Sequence, residues 1–426
     1  MNQRFDPSLG QFGLSTCVPY NPALIALVRA QRILLLQGPV GPMFDRLTRW
    51  LQAGGASVQR IIFQGGDRAD ATALLPVPFF GPLEDWDGFL NDFLTLHDID
   101  CIVLFGQSRH YHARARLLAE ARGLTFVVLE EGYFRPGFMT MELGGVNGYS
   151  TTLQHYVWDP DLQQELPAIL PKGSLEPHPS RWHFQKTAWH ASMHYLAMHR
   201  SRSEFPDYQH HRGANPLSYA AYWLRSWQRK LRRRSWDLNF QSELIRSQRP
   251  YFLVPLQHDG DAQIVHHSPF ERNTDFIINV MRSFADFASD EHWLVFRQHP
   301  HSRGGRGHRG FLMSLAEELG ISDRVHHLIE GDTPLLAQNA RGVVVINSTV
   351  GLQALERGAP VKVLGAALYN RPGLTEQGSL DGFWQSAKAA DPRVIEQFLR
   401  QIKNLTQVPI SAYALSDEPI LWGTGA

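Results

Sequence analysis

From residue 32 onward, short apolar runs alternate with longer amphipathic stretches. RILLLQGP (32–39) reads as a buried strand, and PMFDRLTRWLQAGG (42–55) as a helix stopped by glycine. VQRIIFQGGD (58–67) and CIVLFGQ (101–107) are the next strands. RHYHARARLLAEARG (109–123) predicts a helix ending at Gly123, and LTFVVLEEG (124–132) another strand. The rhythm returns later with strands in YFLVPLQ (251–257), HWLVFRQHP (292–300), VHHLIEG (325–331), GVVVINS (342–348) and PVKVLG (360–365). Helices fall at 269–288 and 348–358 between them. Apolar strands separated by helical segments predict parallel sheets covered on both faces, so each half is expected to be an α/β unit.

The stretch from about 155 to 245 breaks this rhythm, being rich in His, Trp, Tyr and Arg and helical in pattern. The expected organisation is an N-terminal unit over 1–155, a helical segment over 156–245, a second α/β unit over 246–390, and a helix and tail over 391–426. A length of 426 residues agrees with two domains plus extra segments at about 150 residues each.

Composition narrows the class. Lys plus Arg and Asp plus Glu both number 41, so no global basic field for nucleic acid exists. Two cysteines, Cys17 and Cys101, imply no disulfide framework. No run of 18 apolar residues spans a bilayer. The N-terminus lacks signal-peptide character, and a cytoplasmic protein is expected.

Open parallel sheets bind ligands at the carboxyl ends of their strands, where this chain concentrates its polar residues. In NSTVGLQALERGAP (347–360), Asn347, Ser348 and Thr349 start a helix, and Gly351 permits close approach. A helix start exposes unpaired N–H groups and partial positive charge, which suit a phosphate; the same residues also suit ordinary capping. In RQHPHSRGG (297–305), Pro300 holds His299 extended, and His299 or Arg297 could stabilise a leaving phosphate. LQHDGDAQI places Gln257, Asp259 and Asp261 past another strand, where a carboxylate could attack an anomeric carbon or simply form a turn.

In the N-terminal half, Glu130, Glu131, Arg135, Glu142 and Asn147 crowd a strand end and a glycine-rich loop. Carboxylates there could take a proton from an acceptor hydroxyl, or form an Arg–Glu network that holds the loop. Gln37, Gly38, Asp67 and Arg109 stand at neighbouring strand ends. LQGPVGPMFDRL lacks both the GxxxxGK[ST] and GxGxxG patterns, so neither a nucleoside triphosphate nor a dinucleotide is expected. The many histidines lack metal-ligand spacing, and no metal is expected. In NPLSYAAYWLRSWQRKLRRRSW (215–236), Trp223 and Trp227 share a stripe, and Arg229, Arg232 and Arg233 crowd the same stretch. The pattern suits an anionic membrane surface, or a helix docked on the core by its aromatic stripe.

Together the strings LLLQGPVGPMFDRL, IIFQGGD, FGQSRHYH, EEGYFRPGFMTMELGGVNGYS, LQHDGDAQI, RQHP and NSTVGLQALERGAPV resemble capsule polysaccharide biosynthesis proteins of the KpsS/LipB type, over roughly 32–385. The resemblance implies a GT-B glycosyltransferase with two Rossmann-like domains facing across a cleft. It implies transfer of β-linked 3-deoxy-D-manno-octulosonic acid (Kdo) from its cytidine monophosphate ester, CMP-Kdo, to a lyso-phosphatidylglycerol acceptor. The product would begin the Kdo linker of a capsule at the inner membrane face, alongside other capsule biosynthesis and export proteins. No cofactor is implied beyond the CMP-sugar donor. Asp261 would be the nucleophile of a retaining reaction, helped by His299. Arg297, Pro300, Asn347, Ser348, Thr349, Gly351 and Gln257 would bind donor. A carboxylate among Glu130, Glu131 and Glu142 would serve as base. Gln37, Gly38, Asp67, Arg109, Arg135 and Asn147 would meet acceptor. Gln107 stands where an acid is expected, and Ala262 where serine is expected. Two alternatives stay open: transfer of another activated sugar such as CMP-sialic acid, and a non-catalytic role as a capsule assembly or export partner.

Overall fold

The computed structural model describes residues 21–134, 138–146, 149–154, 183–210, 216–258, 264, 268–305 and 307–410. The chain divides into two compact units.

The first unit carries strands β1 (Arg32–Leu35), β2 (Ser57–Ile62), β3 (Val77–Pro78), β4 (Cys101–Phe105), β5 (Thr125–Glu131), β6 (Met139–Leu143) and β12 (Gln407–Val408). They form one sheet in the order β12-β6-β5-β4-β1-β2-β3. β3, β2, β1, β4 and β5 are parallel neighbours, while β6 is antiparallel to β5 and β12 to β6. Its helices are α1 (Pro22–Arg29), α2 (Met43–Ala53), α3 (Gly65–Ala69), α4 (Trp86–Leu96), α5 (His110–Arg122), α6 (Thr151–Gln154) and α7 (His183–Arg200). Alternate strand residues face opposite ways. Ile33, Leu35, Val103, Val127 and Leu129 therefore pack on α1 and α2 through Leu24, Leu27, Phe44 and Leu47. Leu34, Ile61, Ile102, Leu104 and Val128 meet α4 and α5 through Trp86, Leu90, Tyr111 and Ala115. Gly123 ends α5 at φ 65°, a left-handed cap that glycine adopts without a Cβ penalty.

The second unit carries α8 (Pro216–Arg246), β7 (Tyr251–Pro255), α9 (Asn273–Phe287), β8 (Trp293–Arg297), α10 (Arg309–Glu318), β9 (Val325–Leu328), α11 (Thr333–Asn339), β10 (Gly342–Val345), α12 (Thr349–Glu356), β11 (Val361–Val363) and α13 (Leu380–Ser386). Its sheet runs β11-β10-β7-β8-β9 and is parallel throughout. Phe252 and Val254 of β7 pack with Phe276 and Val280 of α9 and Trp384 of α13. The chain re-enters the first unit at Arg400, inside α14 (Pro392–Thr406). Of the helices in the segment 156–245, α7 belongs to the first unit and α8 to the second.

The strand and helix positions read from periodicity are all present. The 132–150 segment, read as a long loop, instead contains β6. Among the described residues no helix is long and apolar enough to cross a membrane.

Candidate active site

In the second unit, three adjacent strand ends are tied together. Gln257, after β7, donates from Nε2 to Asn347 Oδ1, after β10, at 2.9 Å. Its own carbonyl accepts from Asn273 Nδ2 at 3.0 Å, so its position is set from the α9 side as well. His258 follows Gln257 and lies edge-on to His299, after β8, with ring centroids 6.2 Å apart. His299 starts a tight turn: the Ser302 N–H donates to its carbonyl at 2.9 Å, and Pro300 opens the 3-10 helix.

Ser348 is the N-cap of α12 and accepts from Val350 N at 3.2 Å. The Tyr369 hydroxyl donates to the Ser348 carbonyl. Gly351 makes room for this, because a Cβ there would lie 2.7 Å from Tyr369 ring carbons. Tyr369 is buried, and burial raises its pKa, so it stays a neutral donor. Thr349 occupies the first position of α12. Asn347, Ser348, Thr349, Gln257 and His299 therefore surround one set of strand ends, joined by His258, which the motif reading did not single out. Tyr369 was also missed, since nothing in the local sequence links it to a residue so far upstream.

Arg297 is placed differently. It is 6% exposed, and its Nη atoms donate to the carbonyls of Gln298, Ile329 and Gly331. It fastens β8 to β9 rather than offering its fork to a ligand. Burial lowers its pKa to about 10, so it remains a cation at neutral pH. Asp261, the expected nucleophile, lies outside the described residues, as do Arg135 and Asn147.

In the first unit, Gln37 and Asp67 meet directly, with Gln37 Nε2 2.9 and 3.1 Å from the two carboxylate oxygens. Asp67 also accepts from Phe63 N at 3.1 Å and Gln64 Nε2 at 2.9 Å. Its oxygens are used inside the protein, and Gln37 additionally reaches the Tyr208 hydroxyl at 3.1 Å. His194 of α7 completes the closure, with Nδ1 2.7 Å from Asp70 and Nε2 2.9 Å from Gln64 Nε2. An amide nitrogen must donate, so His194 Nε2 accepts and Nδ1 carries the proton toward Asp70. Gly65 and Gly66 let α7 pack this closely: a Cβ on Gly65 would lie 2.7 Å from the Ala197 carbonyl. The ends of β1 and β2 are thereby covered by α7, and Gln37 and Asp67 act as supports.

The β4 and β5 ends are more open. Arg109 Nη1 donates to the Gly38 carbonyl at 3.2 Å. Gln107 N donates to Glu130 Oε1 at 3.2 Å. The Gln107 side chain donates to the Val146 carbonyl at 3.2 Å and accepts from Val146 N at 2.8 Å. A carboxylate could not make this donor–acceptor pair, which gives the amide at 107 a physical reason.

The three carboxylates now separate. Glu130 is half-buried at the end of β5, and Glu131 beside it is exposed. Glu142 is fully buried on β6, accepting from the Tyr133 hydroxyl at 3.1 Å. Burial, with a smaller contribution from nearby Glu130, pushes its pKa up to about 8, so it is mostly protonated at neutral pH. Among the described residues no three His, Cys, Asp or Glu side chains gather to hold a metal ion.

On α8 the expected membrane-facing residues divide. Arg229 turns inward and donates to the carbonyls of Arg303 and Gly305. Arg233 pairs with buried Asp237 at 3.5 Å. The outward stripe is instead Leu224, Trp227, Leu231 and Leu238, at 63%, 47%, 68% and 37% exposure. Exposed Arg225, Arg232 and Arg234 flank it, while Trp223 is half-buried.

Two α/β units with parallel-dominated sheets, one gathering polar side chains around a helix start, define the class of the protein. The family described as "Capsule polysaccharide biosynthesis protein" matches residues 100–413, and the chain belongs to that family. It is 36% identical over 387 residues to the Escherichia coli capsule polysaccharide export protein KpsS, covering 91% of this chain and 98% of that protein. It is 32% identical over 399 residues to the Neisseria meningitidis capsule polysaccharide modification protein LipB, covering 91% and 93%. A solved structure of Thermosulfurimonas dismutans KpsC, a β-Kdo 2,7 transferase, aligns over 89% of this chain and 92% of that one, at 13% identity and a TM-score of 0.41.

Proposed function

We propose that this protein is a GT-B glycosyltransferase that moves β-Kdo from CMP-Kdo to a lyso-phosphatidylglycerol acceptor, beginning the linker of a capsular polysaccharide. The observation that carries the reading is the joined set of strand ends in the second unit. Gln257–Asn347 and His258–His299 bring β10, β7 and β8 together beside the N-cap of α12. The Ser348 and Thr349 hydroxyls and the partial positive charge of this helix start suit a single phosphate without a metal. Family membership and the KpsS/LipB likeness support the same assignment.

In this mechanism Asp261 attacks the anomeric carbon, and the bond to the phosphate oxygen breaks. The electron pair leaves on cytidine monophosphate, stabilised by Ser348, Thr349 and His299. The acceptor hydroxyl then gives its proton to Glu130 and displaces Asp261, so two inversions leave the β configuration. Glu130 is favoured as base because it is half-exposed at a strand end, whereas Glu142 is buried and protonated. Peripheral attachment at the inner membrane face belongs to the same reading, supported by the apolar stripe and flanking arginines of α8.

Calorimetry with nucleotides and a transfer assay test the proposal. Cytidine monophosphate should bind and uridine diphosphate should not, and Ser348→Ala or His299→Ala should weaken binding about tenfold. Asp261→Asn should abolish transfer while retaining nucleotide binding. Failure of the wild-type protein to bind cytidine monophosphate would overturn the assignment.

A further inference from the structure

Helix α7 of the first unit is amphipathic with its polarity reversed. The strand ends it covers carry Gln37, Gln64, Asp67 and Asp70, so the side chains it turns toward them are polar or small. His194, 8% exposed, bonds Asp70 and Gln64. His190 packs on the β1–α2 turn, where a Cβ on Gly41 would lie 3.3 Å from its ring. Ala197 and Ser201 sit against Gly65. The larger apolar residues of the helix face the other way: Trp189, Met193 and Leu196 are 63%, 38% and 39% exposed. In α1, by contrast, Leu24, Leu27 and Val28 are buried in the core.

These three exposed residues form a stripe. At about 100° per residue, Leu196, Trp189 and Met193 fall within roughly a 60° arc of the helix. Exposed Arg200 ends the helix inside that arc, and half-buried Lys186 stands at its border one turn before Trp189. No Asp or Glu occurs between His183 and Arg200. Single exposed apolar residues are ordinary, but a continuous apolar stripe marks a contact surface. The charge selects the partner. A second copy of this face would bring Lys186 and Arg200 no carboxylate to meet. An anionic bilayer offers hydrocarbon to the stripe and phosphate to the cations, whose stems can lie along apolar surface while their heads reach the headgroups.

We propose that α7 is a second membrane-contact helix, laying Trp189, Met193 and Leu196 into an anionic phospholipid surface with Lys186 and Arg200 among the headgroups. This goes beyond the attachment assigned to α8, because α7 belongs to the first unit and α8 to the second. α7 covers the carboxyl ends of β1 and β2, and β4 and β5 run parallel to them. The bilayer would therefore meet the first unit on the side where the open ends of β4 and β5 lie. The contact does not depend on which sugar is transferred.

The test uses the full-length protein carrying Trp227→Ser and Leu231→Ser, so that flotation reports α7 without the α8 stripe. In that background, vesicles containing phosphatidylglycerol should still float the protein, and vesicles of phosphatidylcholine alone should not. Adding Trp189→Ser with Leu196→Ser should cut the bound fraction about tenfold. Lys186→Ser and Arg200→Ser should each weaken partitioning about fivefold. The replaced side chains are exposed or half-buried, so thermal unfolding should not move. Bromine-labelled phosphatidylglycerol should quench the fluorescence of the unaltered chain more than that of Trp189→Phe. Four results overturn the assignment. They are no flotation once the α8 stripe is removed, equal flotation with phosphatidylcholine alone, undiminished flotation and quenching after the α7 substitutions, and a dimer in sedimentation that Trp189→Ser with Leu196→Ser dissolves. The last would give the face to a second copy. None of them bears on cytidine monophosphate binding, so the transferase reading stands or falls by its own calorimetry.

Discussion

Glu142 offers a test of the buried acid that needs no substrate. Its carboxyl is fully buried on β6, with the Tyr133 hydroxyl donating to it. The native pKa near 8 compares with an ordinary value of 4.5. Below about pH 4.5 both folded and unfolded chains hold the proton, and the residue costs nothing. Between 4.5 and 8 the unfolded chain releases it while the folded chain keeps it, so stability falls as pH rises. Above 8 the loss levels off. At about 1.4 kcal/mol per unit, the window from 4.5 to about 8 totals roughly 5 kcal/mol. Glu142→Gln keeps the size and an acceptor for Tyr133 but cannot ionise. Urea unfolding from pH 5 to 8 should show wild type losing several kcal/mol relative to the variant, with the variant the more stable at pH 8. Parallel curves for the two proteins would refute the reasoning.

Three further outcomes follow from close contacts and exposure. Gly65→Ala should destabilise by about 2 kcal/mol in denaturant unfolding, because the new Cβ meets the Ala197 carbonyl and forces α7 away from α3. Gly351→Ala should weaken cytidine monophosphate binding in calorimetry by displacing the Tyr369 ring from the start of α12, even though alanine is the better helix former by about 1 kcal/mol. Leu231→Ser with Trp227→Ser should reduce flotation with phosphatidylglycerol vesicles several-fold and leave flotation with neutral vesicles unchanged. Equal flotation of variant and wild type would remove the α8 stripe as the contact surface.

The parallel core of each unit was legible because its strands are apolar runs bounded by glycine or polar turns. β6 was not, for MTMEL is short, sits between glycine-rich stretches, and carries the ionisable Glu142 in its buried face. β12 was beyond any local signal: Val408 pairs with Met139, far away in sequence. The strand-end rule found Gln257, His299, Asn347 and Ser348, since their positions follow directly from the strands. It could not separate ligand-facing residues from supports. Asp67 and Arg297 stand at strand ends too, yet the Asp67 oxygens are spent on Gln37 and Gln64 and the Arg297 Nη atoms on backbone carbonyls. Likewise the helical period gave α8, but the inward turn of Arg229 and Arg233 depends on the 303–305 backbone and Asp237.

The seam made by Gln407 has a bearing on how the polypeptide can be handled. Its side chain accepts from Tyr133 N at 3.0 Å and donates to Thr140 Oγ1 at 3.0 Å. During synthesis the first α/β unit must wait, with β6 an uncovered edge, until residues 407 and 408 have been made. A fragment cut at the apparent midpoint would inherit that bare edge, an invitation to aggregate. Dissecting this molecule therefore calls for a graft of residues 400–410 onto the amino-terminal piece, not a simple truncation.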